Sequence, residues 1–110
     1  MDKDEFIKAL KSVNITVNEG IQNDKSTDSN PRIVFFEYLW EPFMASGKEY
    51  NTKVTYQVSF FSNISRDKKL IELKKAFKSK GINPIIEHEY VEVDRCFHSF
   101  FPVEVLENIE

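Results

Sequence analysis

From Asp2 to Val13, the apolar residues Phe6, Ile7, Leu10 and Val13 recur at helical spacing on one side, while Lys3, Asp4, Lys8 and Lys11 fall elsewhere. Asp2 followed three positions later by Glu5 has the form of an N-cap with capping-box character, so the spacing predicts a helix from Lys3 to Ser12. Ile15 and Val17 then alternate with polar neighbours, which predicts a short strand ending at Gly20. Residues 21–30 are rich in Asp, Asn and Ser and run into Pro31. This is a loop composition, and at about ten residues the loop is longer than most connections, a length often associated with function or mobility.

The next segment, RIVFFEYLW, is apolar on both faces, as expected of a strand covered on both sides. TKVTYQVSFF alternates more cleanly, with Val54, Tyr56, Val58 and Phe60 pointing one way and Thr55, Gln57, Ser59 and Phe61 the other. The two segments predict a long hairpin whose tip, about residues 40–49, reads as a loop carrying Trp40, Phe43 and Met44 beside Pro42 and Gly47. A second helix is predicted between Ser65, a plausible cap with Asp67 in the first turn, and Gly81, a left-handed C-cap position. Leu70, Leu73 and Phe77 form its narrow apolar stripe, and Ile71 lies roughly 100° away from them. NPIIEHEY and RCFHSFFPVEVL predict two further strands joined by a tight turn near residues 91–94, with Pro102 marking a sheet edge or a bend. The order α-β-β-β-α-β-β predicts an α+β domain spanning residues 1–110, a mostly antiparallel sheet with two helices packed on one face.

Composition refines this picture at five points. The chain has 110 residues, 41% hydrophobic and 30% charged, which suits one core that needs no metal or disulfide. Ten Phe and four Tyr are many for that length, so either the core is dense or some rings stay at the surface for a partner. The net charge of -3 disfavours nucleic acid or an acidic membrane as a whole-molecule partner. Cys96 is the only cysteine, which excludes an internal disulfide and fits a reducing compartment. No apolar run approaches a membrane span, and the first ten residues are too charged for a signal peptide, so a cytoplasmic site of synthesis is expected.

Candidate chemistry is sparse. Cys96, His88 and His98 with Glu87, Glu89, Glu92 and Asp94 lack a nucleophile motif, and strand alternation sends Glu87 and Glu89 to the face opposite His88, which argues against a shared metal. Only three glycines are present, and none belongs to a phosphate loop, so no cofactor is expected. The lysines of the second helix, Lys74, Lys75 and Lys78 among them, read first as a solvated face, with Lys68 and Glu72 as an i,i+4 pair. Their functional alternative is contact with an anion, in a small nucleic-acid-binding or regulatory module. Trp40 and Phe43 have two readings: rings folded back over the sheet end, or anchors for another chain. The excess of rings over core positions favours anchors.

The strand VTYQVSFFSN leading into the helix SRDKKLIELKKAFKSKGI, followed by EYVEVDRCFHSFFPVEV, resembles the tail terminator or head-tail joining (tail completion) proteins of long-tailed, double-stranded DNA bacteriophages, the siphophages. The positions that carry the resemblance are Tyr56, Val58, Phe60 and Ser62, then Gly81-Ile82, Tyr90, and His98 with Phe101. It implies a non-enzymatic structural protein of the virion, present in the host cytoplasm during assembly. Its subunits would form a homohexameric ring that ends the tail tube, stops its polymerisation and docks the head connector. DNA would meet it only by passing through the lumen. On this resemblance Trp40, Phe43 and Met44 would insert into a neighbouring subunit or the tail tube, and Ile71 with the Phe97 and Phe101 edge would form the second surface. The polar loop at 21–30 would face the lumen or become ordered on assembly.

Overall fold

A computed structural model describes residues 1–20, 30–45 and 49–109. The predicted fold class is the one observed: α1 (Lys3–Lys11), β1 (Thr16–Glu19), β2 (Arg32–Ala45), β3 (Glu49–Ser62), α2 (Lys68–Lys78), β4 (Glu87–Val91) and β5 (Cys96–Glu107). The strands form one sheet in the order β1-β2-β3-β5-β4. β1 runs parallel to β2 and every other pairing is antiparallel.

Local chemistry accounts for the helix ends. The Glu5 backbone N–H donates to Asp2 Oδ1 at 2.8 Å, so Asp2 caps α1 as its position suggests. The cap of α2 is Asp67 and not Ser65: the Lys69 N–H donates to Asp67 Oδ1 at 2.9 Å, and the Ser62 hydroxyl donates to Oδ2 at 2.6 Å. At the other end the Ile82 N–H bonds to the Phe77 carbonyl and the Gly81 N–H to the Lys78 carbonyl, a Schellman pattern that needs the left-handed φ of 81° at Gly81. Because β1 and β2 are parallel neighbours, a tight turn cannot join them, and a crossover of about a dozen residues is required. That geometry explains the length of the polar connection, whose residues 21–29 lie outside the described set.

Cross-strand register separates the two sheet faces. Ile33, Phe35, Val54, Tyr56, Val58, Phe60, Phe101, Val103 and Val105 share the face that meets the helices, and all are buried. Phe6 of α1 stacks on Tyr56 at 4.8 Å and meets Phe35 edge-on at 5.5 Å, while Phe77 of α2 meets Phe101 edge-on at 5.6 Å. Each such ring stabilises the fold by roughly 1.5–3 kcal/mol relative to leaving it in water.

The hairpin outgrows this core. β1 accompanies β2 only from Arg32 to Phe35, after which the outer edge of β2 pairs with no described strand. The radius of gyration is 15.0 Å with extents of 50 × 29 × 22 Å. A compact chain of this length would have a radius near 13 Å. The projecting hairpin supplies the difference in shape.

Candidate interaction surfaces

The segment read as an apolar loop tip is strand as far as Ala45, with Trp40 opposite Val54, Pro42 opposite Thr52 and Phe43 opposite Asn51. Pro42 is compatible with an edge position, since this part of β2 pairs on its outer side with no described strand. A bulge between Glu37 and Leu39 inserts Tyr38 and shifts the alternation by one residue. Trp40 and Met44 therefore share the helix-side face with Phe35, and Leu39 and Phe43 share the opposite one with Phe36. Trp40 is 53% exposed, Phe43 38% and Met44 56%, so the rings do not fold back into the core. Phe36, Tyr38 and Leu39 are exposed as well, so large apolar side chains are exposed on both faces of this half of β2, whose outer edge pairs with no described strand. The tip residues 46–48 lie outside the described set.

At the other end of β3 a groove of about 710 Å³ opens between α2 and β4. Its walls are Ile71 and Lys74 of α2, Ile64 of the connecting segment, and Tyr90 and Phe97, whose rings pack at 5.0 Å. The rest of its lining includes Phe60, Leu70 and Ile86 and polar groups that pair within the chain: the Ser62 hydroxyl donates to Asp67, and His88 Nδ1 and Ser99 Oγ share a hydrogen bond of 2.7 Å. Three of the residues singled out from sequence, Ile71, Phe97 and Lys74, thus come together here.

Phe101 does not join them. It is 1% exposed beneath Phe77, so its assignment to an interface is corrected to the core. Phe97 shares its face of β5 but sits at the start of the strand, where its neighbour is the Tyr90 ring. Ile71 is 37% exposed and, at about 100° per residue, lies among Lys74, Lys75 and Lys78 on one flank of α2. Those three lysines form no ion pair among the described residues. The expected Lys68–Glu72 pair is replaced by Lys69–Glu72 at 3.3 Å.

The helix-free face carries an aligned row across four strands: Arg32, Phe61, His98 and Glu89. The Arg32 guanidinium lies 4.2 Å above the Phe61 ring, that ring stacks on His98 at 4.5 Å, and His98 Nδ1 bonds Glu89 Oε1 at 2.8 Å. His88 points to the helix side and His98 to the other, so the two imidazoles do not converge. Cys96 is buried, and burial first, then Asp94, pushes its thiol pKa up while Arg32 pulls the other way. A group with that thiol is a poor nucleophile at neutral pH. Among the described residues no cluster of His, Cys, Asp and Glu has the make-up of a metal site, and no helix is long and apolar enough to cross a membrane.

Sequence reasoning missed Phe36, Tyr38 and Leu39 as part of the exposed surface, and Tyr90 and His88 as groove residues. For the first three a signal existed, in apolar positions on both faces of RIVFFEYLW without a second apolar helix to cover the far side. Known protein families contain no match to the chain, and neither do the curated proteins.

Proposed function

We propose that this chain is a ring-forming structural subunit that ends a phage tail tube and joins it to the head connector. The observation that carries the proposal is the set of exposed apolar residues between Phe36 and Met44 on a strand edge that pairs with no described strand. Open edges of that length and character recruit other chains, and a protein that keeps one has a use for it. Support also comes from the arrangement of surfaces: the hairpin and the groove are different, and they sit at opposite ends of β3. A closed ring of identical subunits requires two unlike complementary patches. Of the positions that carry the resemblance to tail-completion proteins, Phe60, Ser62 and Tyr90 line the groove and the others lie elsewhere in the scaffold. Electron microscopy of the purified protein mixed with tails lacking their cap tests this directly. Rings at tube ends are expected; tubes that keep elongating in its presence would refute it.

A second reading, an anion or nucleic-acid contact through Lys74, Lys75 and Lys78, draws on their shared flank and on their forming no ion pair among the described residues. Ile71 at the centre of that flank suits a protein partner better than a phosphate backbone. A DNA probe shifted by the native chain, but not by the Lys74→Glu, Lys75→Glu, Lys78→Glu variant, would favour this alternative.

A further inference from the structure

We infer that the helix-free face of the sheet is a two-fold interface between two copies of this chain, centred on Phe36 and Gln57; the contact goes beyond the ring reading and does not rest on it. An antiparallel sheet with helices on one side usually turns polar side chains to the other. This face does not. Register places Val34, Phe36, Leu39, Phe43, Phe100 and Leu106 there, with Pro102 beside Gln57. Phe36 is 40% exposed, Leu39 44%, Phe43 38% and Leu106 49%, which amounts to about 340 Å² at roughly 200 Å² for a large side chain, all on one face. A stable interface buries about 800 Å² per partner, of which about 450 Å² is apolar, so these four side chains supply most of the apolar share.

The placement of charge identifies a second copy as the occupant. On this face of β2 and β3, three consecutive cross-strand pairs, Val34–Ser59, Phe36–Gln57 and Leu39–Thr55, carry no charge, and Ser59 and Thr55 are buried. Arg32, opposite Phe61, lies two pairs before Phe36, and Glu41, opposite Lys53, lies two pairs after it. The bulge at Tyr38 creates this symmetry, because without the inserted residue Glu41 would point to the helix side. An arginine and a glutamate equidistant from an uncharged centre are the complement of the same surface turned through a half-circle. A two-fold axis crossing the strands at Phe36 and Gln57 thus sets Arg32 of each copy on Glu41 of the partner subunit, and Val34 on the partner subunit's Leu39. Packed sheets cross at about 30°, which displaces side chains about 14 Å from the axis by about 7 Å, a distance that an arginine and a glutamate together span. Glu41 forms no ion pair among the described residues. The other acids of β4 and β5 on this face do not oppose the contact: Glu104 pairs with Lys53 at 3.8 Å, Glu89 bonds His98, and Glu87 lies on edge strand β4, which meets no strand of the second copy in this arrangement. Trp40 and Met44 point to the opposite face, so the dimer leaves them and the groove free.

Mixing two charge variants tests the contact, in solution without tube ends. Arg32→Glu and Glu41→Arg each set like charges against one another at both ends of the dimer. In sedimentation each alone is expected to have its dissociation midpoint raised at least about tenfold over the native dimer. Native mass spectrometry of their equimolar mixture is expected to show the heterodimer in excess over both homodimers, because opposite charges face each other again at both ends. That preference should fade in high salt. Circular dichroism establishes that both variants fold. If Arg32→Glu melts early, Phe36→Glu, at an exposed position on the axis, takes its place and is expected to leave only monomer. A native chain that stays monomeric at every concentration, or that assembles without passing through a dimer, overturns the interface. So does a native dimer that Phe36→Glu leaves intact, and so does a low-salt mixture of the charge variants with no preference for the heterodimer.

Discussion

Tyr56 links the core to pH in a way that one substitution isolates. Its ring is buried against Phe6, and its hydroxyl donates to Glu107 Oε2 at 2.8 Å. Burial, then that hydrogen bond, then the charges of Glu107, Glu37 and Glu19 hold its pKa well above the ordinary tyrosine value. An acid whose pKa rises on folding keeps its proton more firmly in the folded state. Its contribution to stability is therefore complete below about pH 10, where the unfolded phenol is protonated too, and is lost above that pH at about 1.4 kcal/mol per unit. Tyr56→Phe preserves the ring stack and deletes only the phenol. At pH 7 the loss of a hydrogen bond to a charged acceptor costs about 1.5–3 kcal/mol, towards the lower figure here because Glu107 is only half-buried and regains water. At pH 11 the native chain has already given up about 1.4 kcal/mol through this group, so the two proteins should differ little. Urea denaturation followed by circular dichroism at pH 7, 9, 10 and 11 measures the gap, and the other ionisable groups, common to both chains, cancel in the difference. A gap as wide at pH 11 as at pH 7 would refute the linkage.

Other substitutions probe the scaffold. Phe77→Ala, at a fully buried ring between Phe6 and Phe101, should cost about 3–5 kcal/mol in denaturant titration, whereas Ile71→Ala on the same helix should cost less than about 1 kcal/mol. Gly81→Ala should lower stability by about 1–2 kcal/mol purely through its left-handed backbone, since an added Cβ would meet nothing within 4 Å, and Gly81→Asn should recover part of the loss. Asp67→Ala should cost about 1–2 kcal/mol by uncapping α2 and depriving the Ser62 hydroxyl of its acceptor, with Asp67→Asn milder in the same titration.

The scaffold was legible wherever one period ran uninterrupted. Val54, Tyr56, Val58 and Phe60 alternate without a break and form the buried face of β3 as written. Asp2 with Glu5, and Gly81, mark helix ends because cap chemistry is local. The hairpin tip was misread because Pro42 and Gly47 signal a turn, while the lack of a described strand beside β2 beyond Phe35, where a proline is tolerated, is a non-local fact. The bulge at Tyr38 hid which face Trp40 would join, since one inserted residue exchanges faces for everything after it. Phe97 and Phe101 have the same parity and composition, and only the position of Phe77 decides that one ring is covered and the other lines a groove. Ser65 and Asp67 are both good caps by type, and the choice depends on Ser62, a residue of the preceding strand. The groove itself joins α2 to β4 across intervening chain, so no local pattern announces it.

The most direct measurement uses Trp40, the only tryptophan, which stands inside the exposed run. Its fluorescence is followed while the protein is concentrated from dilute solution and then offered tail-tube ends. Covering the hairpin removes water from the indole, so the account predicts a water-exposed emission in the dilute chain that moves to shorter wavelength as larger species form. Emission already characteristic of a buried indole in the dilute monomer, or unchanged at every concentration and with tube ends present, would contradict it.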